Sequence, residues 1–241
     1  MAGGGPDAGS CTLCGGTGFV VERSEDAAVA QPCRCRRLLA DARRRAGVGI
    51  PRRYEHCTLD QFDPLNDSLR TALAYARRVV ESFPGSDFGL LFTGPCGVGK
   101  THLAVAVLRE LVEHRGARGL FAEVGDLLRR LVETYDRRSQ VPSWEVLEPA
   151  LEADVLLLDD LGATRMTPWM QDTVGLIINE RYNEERLTLI TTNRPMSSGP
   201  ERESLADRIG ERLASRLTEM CVTVRMEGED FRRKIKAAEF R

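Results

Sequence analysis

Apolar residues recur along this chain in two rhythms. Short unbroken runs predict buried strands, and longer stretches with one apolar face predict packed helices. Phe88 to Thr93 is the first such run, and His102 to His114 follows it with helical periodicity. Gly119 to Glu123 and Asp154 to Gly162 read as further strands, and Leu187 to Asn193 and Cys221 to Met226 as the last two. Between them, Val124 to Tyr135 places Val124, Leu127, Leu128, Leu131 and Val132 on one helical face. Pro168 to Glu185 and Glu201 to Glu219 read as two more helices, and Leu69 to Ser82 as an earlier one that leads into the turn Phe83-Pro84-Gly85. Asp136 to Leu151 is polar, carries two prolines and a tryptophan, and reads as a surface excursion. Strand and helix thus alternate five times from Phe88 to Met226. That pattern predicts an α/β fold with a doubly wound parallel sheet that takes its ligand at the C-terminal edge.

The link between the first strand and its helix names the ligand. Gly94-Pro95-Cys96-Gly97-Val98-Gly99-Lys100-Thr101 fits the phosphate-loop pattern G-x-x-x-x-G-K-[ST] without a mismatch. Glycines let the backbone fold back so that successive N–H groups converge on phosphate oxygens, and the following helix adds its positive end. Lys100 is then placed to reach the β- and γ-phosphates, and Thr101 offers a hydroxyl to Mg²⁺. Of 34 basic residues only Lys100, Lys234 and Lys236 are lysines, so a chain that otherwise uses arginine has a lysine where the loop needs one.

Asp154-Val155-Leu156-Leu157-Leu158-Asp159-Asp160-Leu161-Gly162 is an apolar run ending in acids, as expected of a central strand whose C-terminal end carries a metal site. It matches a Walker B element, with Asp159 holding Mg²⁺ and Asp160 polarising an attacking water as general base. Asn193 ends the next strand, within reach of a γ-phosphate or that water. Arg208, Arg212 and Arg216 fall at four-residue spacing on one helical face. One of them is a candidate arginine finger, and a row of surface ion pairs is the alternative, preferred for Arg208.

Composition changes the picture mainly at the N-terminus. The 241 residues have a formal net charge of −2, which excludes a globally basic nucleic-acid binder. No apolar run is long enough to span a bilayer and Met1 to Ser10, glycine-rich and expected to lack fixed structure, has no secretion signal, so a cytoplasmic protein is expected. Seven cysteines in a reducing compartment point to metal before disulfides. Cys11-x-x-Cys14 and Cys33-x-Cys35 give two close thiolate pairs suited to one tetrahedral Zn²⁺, with His56 or Cys57 as substitute ligands. Arg34 to Arg53 holds eight arginines against one acid, Asp41, and reads as a basic helix, either a solvated face or a contact for phosphate or an acidic protein surface. The junction is expected near Gly47 to Pro51, which divides the chain into a cysteine-rich segment, 1–50, and a nucleotide domain, 51–241.

Together, Gly94 to Thr101, Leu156 to Gly162, Glu180-Arg181-Tyr182, Thr191-Thr192-Asn193, Ser215-Arg216-Leu217 and Gly228-x-Asp230-Phe231-Arg232 resemble the motif series of DnaC-type helicase loaders and their IstB-type transposition relatives. Both are AAA+ P-loop ATPases, and the resemblance covers about residues 50 to 235. The cysteine-rich start before Ile50-Pro51-x-x-Tyr54 is similar to loaders of the DnaI kind, which dock on the replicative helicase through a zinc-containing domain. The resemblance implies a parallel five-stranded sheet flanked by helices, with ATP or ADP held by Gly94 through His102 together with Asp159. It implies Mg²⁺ on Thr101 and Asp159, and structural Zn²⁺ on Cys11, Cys14, Cys33 and Cys35. Asp160, Asn193 as sensor-1 and Arg216 as a finger acting on a neighbouring subunit would be catalytic, with Arg232 a candidate second sensor. It further implies an ATP-bound homo-oligomer that engages a replicative DNA helicase and single-stranded DNA or, in the IstB-like alternative, a transposase. Only 25 residues follow Arg216, so the helical lid is expected to be short or absent. A small-molecule kinase would have no use for Thr191-Thr192-Asn193 or Ser215-Arg216, and a zinc adaptor that binds ATP without turning it over is a further alternative.

Overall fold

The structure is a computed structural model that describes residues 11–23, 28–35, 47–86, 88–136, 141–197 and 203–231. The chain forms two compact units, residues 1–48 and 49–241. Met1 to Ser10, most of the basic stretch that starts at Arg34, and Arg232 lie outside the described residues. Among the described residues no helix is long and apolar enough to cross a membrane.

The first unit contains an antiparallel hairpin, β1 (Phe19–Arg23) against β2 (Ala28–Pro32), with Phe19 opposite Pro32. The second unit starts with a short 3₁₀ turn, Arg52–Tyr54, and α1 (Asp67–Ser82), whose N-cap Asn66 accepts the Leu69 N–H. Five strands and six helices follow. They are β3 (Gly89–Thr93), α2 (Lys100–His114), β4 (Gly119–Glu123), α3 (Val124–Thr134), α4 (Ser143–Glu152), β5 (Val155–Asp159), α5 (Pro168–Asn183), β6 (Leu187–Thr192), α6 (Leu205–Ile209), α7 (Glu211–Met220) and β7 (Cys221–Arg225).

The strands form one parallel sheet in the order β4-β5-β6-β3-β7. Every residue of β3, β5 and β6 is buried, because helices cover both faces of the sheet and leave no side for polar alternation. Leu156 and Leu158 of β5 join Leu91, Ile190, Leu127, Ile177 and Leu217 in one core cluster. The period of a strand sends Leu157, with Phe121 and Leu189 beside it on the adjacent strands, to the other face, where α2 packs across β3 to β6. The approach of α2 is close: a Cβ on Gly119 would lie 2.4 Å from a Val112 methyl.

Three expectations need correction. Asp136 to Leu151 is not only a surface excursion, since Ser143–Glu152 is helical and buries Val146 and Ala150 despite Pro149 inside it. Its C-terminal end is held by Arg181 of α5, which is 0% exposed and donates to Ala150 O (3.1 Å), Ala153 O (2.7 Å), Leu187 O (2.6 Å) and Thr188 Oγ1 (3.0 Å). Burial lowers the Arg181 pKa to about 9, which leaves it charged at neutral pH. The helix expected over Glu201 to Glu219 is broken at Gly210 (φ 91°, ψ 146°), which ends α6 and caps α7. Val132 is 51% exposed, because α3 turns only Val124, Leu127, Leu128 and Leu131 into the core.

Candidate functional site

The polar residues of the nucleotide unit converge where the strand order puts the ends of β3, β5 and β6 side by side. β3 ends at Thr93, and the backbone enters the phosphate loop with Gly94, Gly97 and Gly99 all at positive φ, 149°, 78° and 100°. Gly99 is the N-cap of α2 and brings no side-chain cap, so the first N–H groups of that helix face the loop. Lys100 is 6% exposed, and its Nζ donates to Gly94 O at 2.8 Å and Pro95 O at 2.7 Å. Within the loop Val98 is buried and Cys96 is exposed. His102 Nε2 lies 3.1 Å from Thr58 O, and burial lowers the imidazole pKa.

Thr101 and β5 meet directly. Thr101 Oγ1 donates to Asp159 Oδ1 at 2.8 Å, and Thr191 Oγ1 on β6 donates to the same oxygen at 2.6 Å. Asp159 is 4% exposed, and that burial raises its pKa. The next residue, Asp160, adopts φ 62°, unusual for a side chain other than glycine. Two bonds hold it there: its N–H donates to Thr191 Oγ1 at 2.9 Å, and its Oδ1 accepts from Asn193 Nδ2 at 2.8 Å. The hydroxyl of Thr191 therefore ties both acids to β6, with a donor for one and an acceptor for the other.

These groups line one cavity of about 1010 Å³, together with Tyr54, His56, Cys57, Phe62 and His102 on one side and Gly228, Glu229 and Phe231 on another. Lys100, Thr101, Asp159, Asp160 and Asn193 all line it. So does Glu123, which sequence reasoning passed over: it ends β4 opposite Asp159, and its carboxylate caps α3 by accepting from Gly125 N and Asp126 N. Thr191 stands in the Thr191-Thr192-Asn193 motif, but its role is not readable there. Its signal is the cross-strand register, which is not written in either strand alone.

Arg216 stands apart from the cavity. It donates through Nη1 to Asn179 Oδ1 and lies 5.9 Å from the Tyr182 ring centroid, both on α5. Arg208 is paired with Glu203 at 2.5 Å, an ion pair as preferred for it from sequence but a largely buried one, its side chain 14% exposed.

In the first unit the four cysteine sulfurs lie within 4.8 Å of one another. Cys11 and Cys33 Sγ are 3.8 Å apart, and Cys14 and Cys35 Sγ 3.4 Å. Zn–S bonds of about 2.3 Å in a tetrahedron set sulfurs roughly 3.8 Å apart, so these four thiols fit one zinc after small side-chain adjustments. Gly15, Gly16 and Gly18, at φ 57°, 88° and 77°, form the knuckle after the first pair. Gly18 N donates to Cys14 Sγ at 3.3 Å, as such knuckles do toward a thiolate. His56 and Cys57 do not join this set and line the nucleotide-unit cavity instead.

Comparison with known proteins agrees with this geometry. The pattern that describes the family "IstB-like ATP binding protein" matches residues 68–239. The replicative helicase loader DnaC of Escherichia coli K12 is 28% identical over 169 residues, 70% of this chain and 66% of that protein. The chain thus matches just under two thirds of the length of that relative. A crystal structure of the DnaC helicase loader superposes with a TM-score of 0.65 at 37% identity, over 73% of this chain and 100% of that one. A crystal structure of DnaI gives 0.62 at 27% identity, over 78% and 98%.

Proposed function

The chain belongs to the family of IstB-like ATP-binding proteins, and from that premise we propose that it is an ATP-dependent loader of a replicative DNA helicase. Its AAA+ fold and its likeness to the DnaC loader support this reading. One observation carries the chemistry: Thr101, Asp159, Asp160 and Asn193 are joined by hydrogen bonds around one phosphate loop, at the C-terminal edge of the sheet.

In this reading Lys100 exchanges its two loop carbonyls for phosphate oxygens of ATP. Thr101 and Asp159 would hold Mg²⁺, whose charge offsets that of the phosphates; a buried carboxylate with a raised pKa, backed by two hydroxyls, suits a divalent cation better than solvent. Asp160 accepts the proton of the attacking water, and Asn193 fixes the carboxylate that does so. Arg216 serves the ATP site of an adjacent subunit, where an always-charged guanidinium stabilises charge spreading onto the γ-phosphate. Turnover then depends on assembly into a homo-oligomer. The four-cysteine unit, 1–48 in the structure against 1–50 from sequence, would hold structural Zn²⁺ and dock on the helicase, and the ATPase domain engages single-stranded DNA. The family description favours a second reading, an IstB-like helper that acts on a transposase.

The site is tested by ATP binding and hydrolysis in two variants. Lys100→Ala should weaken binding, whereas Asp160→Asn should bind ATP and fail to turn it over. Normal turnover by Asp160→Asn would show the base to be misassigned. A pull-down from the protein's own cell extract separates the partners, since helicase supports the loader and transposase the helper.

A further inference from the structure

A phosphate loop turns its N–H groups inward, so its carbonyls face outward and need donors of their own. Lys100 serves Gly94 O and Pro95 O. Gly97 O instead accepts the N–H of Phe231, at 3.1 Å, from the segment that follows β7. The same segment presses on the loop at two glycines. A Cβ on Gly94 would lie 2.0 Å from Met226 O, and one on Gly97 would lie 1.8 Å from Asp230 Oδ1 and 2.8 Å from Asp230 Cα. Its other end is tied down twice. Met226 N donates to Thr93 O at 2.8 Å, while Glu227 donates to Ser68 Oγ at 2.9 Å and accepts from Asn66 Nδ2 at 2.8 Å, at the start of α1. Residues 226–231 thus run from β3 and α1 across the back of the loop, and Glu229 and Phe231 reach round to line the cavity.

We propose that residues 226–231 are a strap that positions the phosphate loop for nucleotide, with Asp230 and the Phe231 amide holding Gly97 in its φ 78° conformation. The proposal rests on the nucleotide reading of that loop. It gives Gly97 a second reason to be glycine: a side chain there would displace Asp230 whether or not it touched a phosphate. It also has a reciprocal, because whatever the strap adds to nucleotide affinity, nucleotide returns as stability of the strap. The strap continues directly into Arg232-Arg233-Lys234-Ile235-Lys236, so the basic end of the chain begins at a point that feels the loop.

The test uses the full-length chain, Mg²⁺ and a fluorescent ADP analogue, with Lys100→Ala as the control for binding at the loop. Gly97→Ala should weaken binding strongly, and Asp230→Gly should weaken it about tenfold. The double variant should bind better than additivity of the two losses predicts, because removing the carboxylate relieves the 1.8 Å clash, although the 2.8 Å approach to Asp230 Cα and the φ of 78° keep the rescue partial. A residue that only stabilised the fold would not give that rescue. In parallel, hydrogen exchange at the Phe231 amide should slow when ADP is added. Additive losses together with unchanged exchange at Phe231 would overturn the strap while leaving the nucleotide site intact. If the unsubstituted chain bound no nucleotide, the loop assignment itself would fall and the strap with it.

Discussion

Replacing Arg181 with methionine isolates the energetic role of the most deeply buried charge described in the nucleotide unit. Methionine keeps much of the aliphatic stem and its packing but supplies no donor. The carbonyls of Ala150, Ala153 and Leu187 would each lose a charged hydrogen bond. Thr188 Oγ1 loses one as well but still donates to Arg186 O at 3.0 Å. At about 1.5 kcal/mol net per carbonyl the loss comes to about 4–5 kcal/mol. The methionine chain also avoids desolvating a cation, which returns part of that, so a destabilisation of about 3 kcal/mol is expected. In urea, with a slope of about 2 kcal/mol/M, this lowers the midpoint by roughly 1.5 M at unchanged slope. Arg181→Lys should recover little of it, because one ammonium cannot reach carbonyls spread over α4 and β6 as a planar fork does. Nucleotide binding below the transition should persist, since Arg181 sits at the N-terminal ends of β5 and β6, opposite the cavity. A loss under about 1 kcal/mol would refute the idea that these bonds fasten α4 to the sheet.

Two further predictions concern the other assigned groups. Protein purified without chelator should carry one zinc per chain, and Cys11→Ser should release it and unfold mainly residues 1–45 while the nucleotide unit survives; metal analysis that finds none would remove the zinc assignment. Mixing Arg216→Ala with Lys100→Ala should restore ATPase activity that each lacks alone, because one mixed interface joins an intact loop to an intact arginine. Continued inactivity despite demonstrated co-assembly, or full activity of Arg216→Ala by itself, would return Arg216 to the role of a clamp on Asn179 and Tyr182.

Much of the nucleotide unit is legible in the sequence because its strands are buried on both faces and so appear as uninterrupted apolar runs. The phosphate loop is legible for a different reason, since backbone curvature and charge demand particular residues at fixed spacing. α4 was hidden by Pro142, Pro149 and the 56% exposed Trp144, and it persists because Arg181, remote in sequence, satisfies its last carbonyls. The break at Gly210 was hidden because an amphipathic pattern continues through it on both sides. Glu123 carries no motif, and Thr191 and Asp230 stand in recognisable motifs without a role of their own, because their importance lies in register and close approach, relations between segments that no single stretch records. The motif Glu180-Arg181-Tyr182 was recognisable as a unit, yet its members part company: Arg181 goes to the core and Tyr182 to the surface beneath Arg216.

Gly210 is both the C-cap of α6 and the N-cap of α7, with its N–H bonded to Ala206 O and its carbonyl to Ala214 N. No heavy atom lies within 4 Å of where its Cβ would be, so only backbone strain opposes a side chain there. The corner lets the two helices take different directions while their backbone hydrogen bonds meet in one residue. α6 takes its bearing from its Ser204 cap and the Arg208–Glu203 pair, and α7 takes its own from α5. The heading of Arg216 is set by the helix beneath it, α5, through Asn179 and Tyr182.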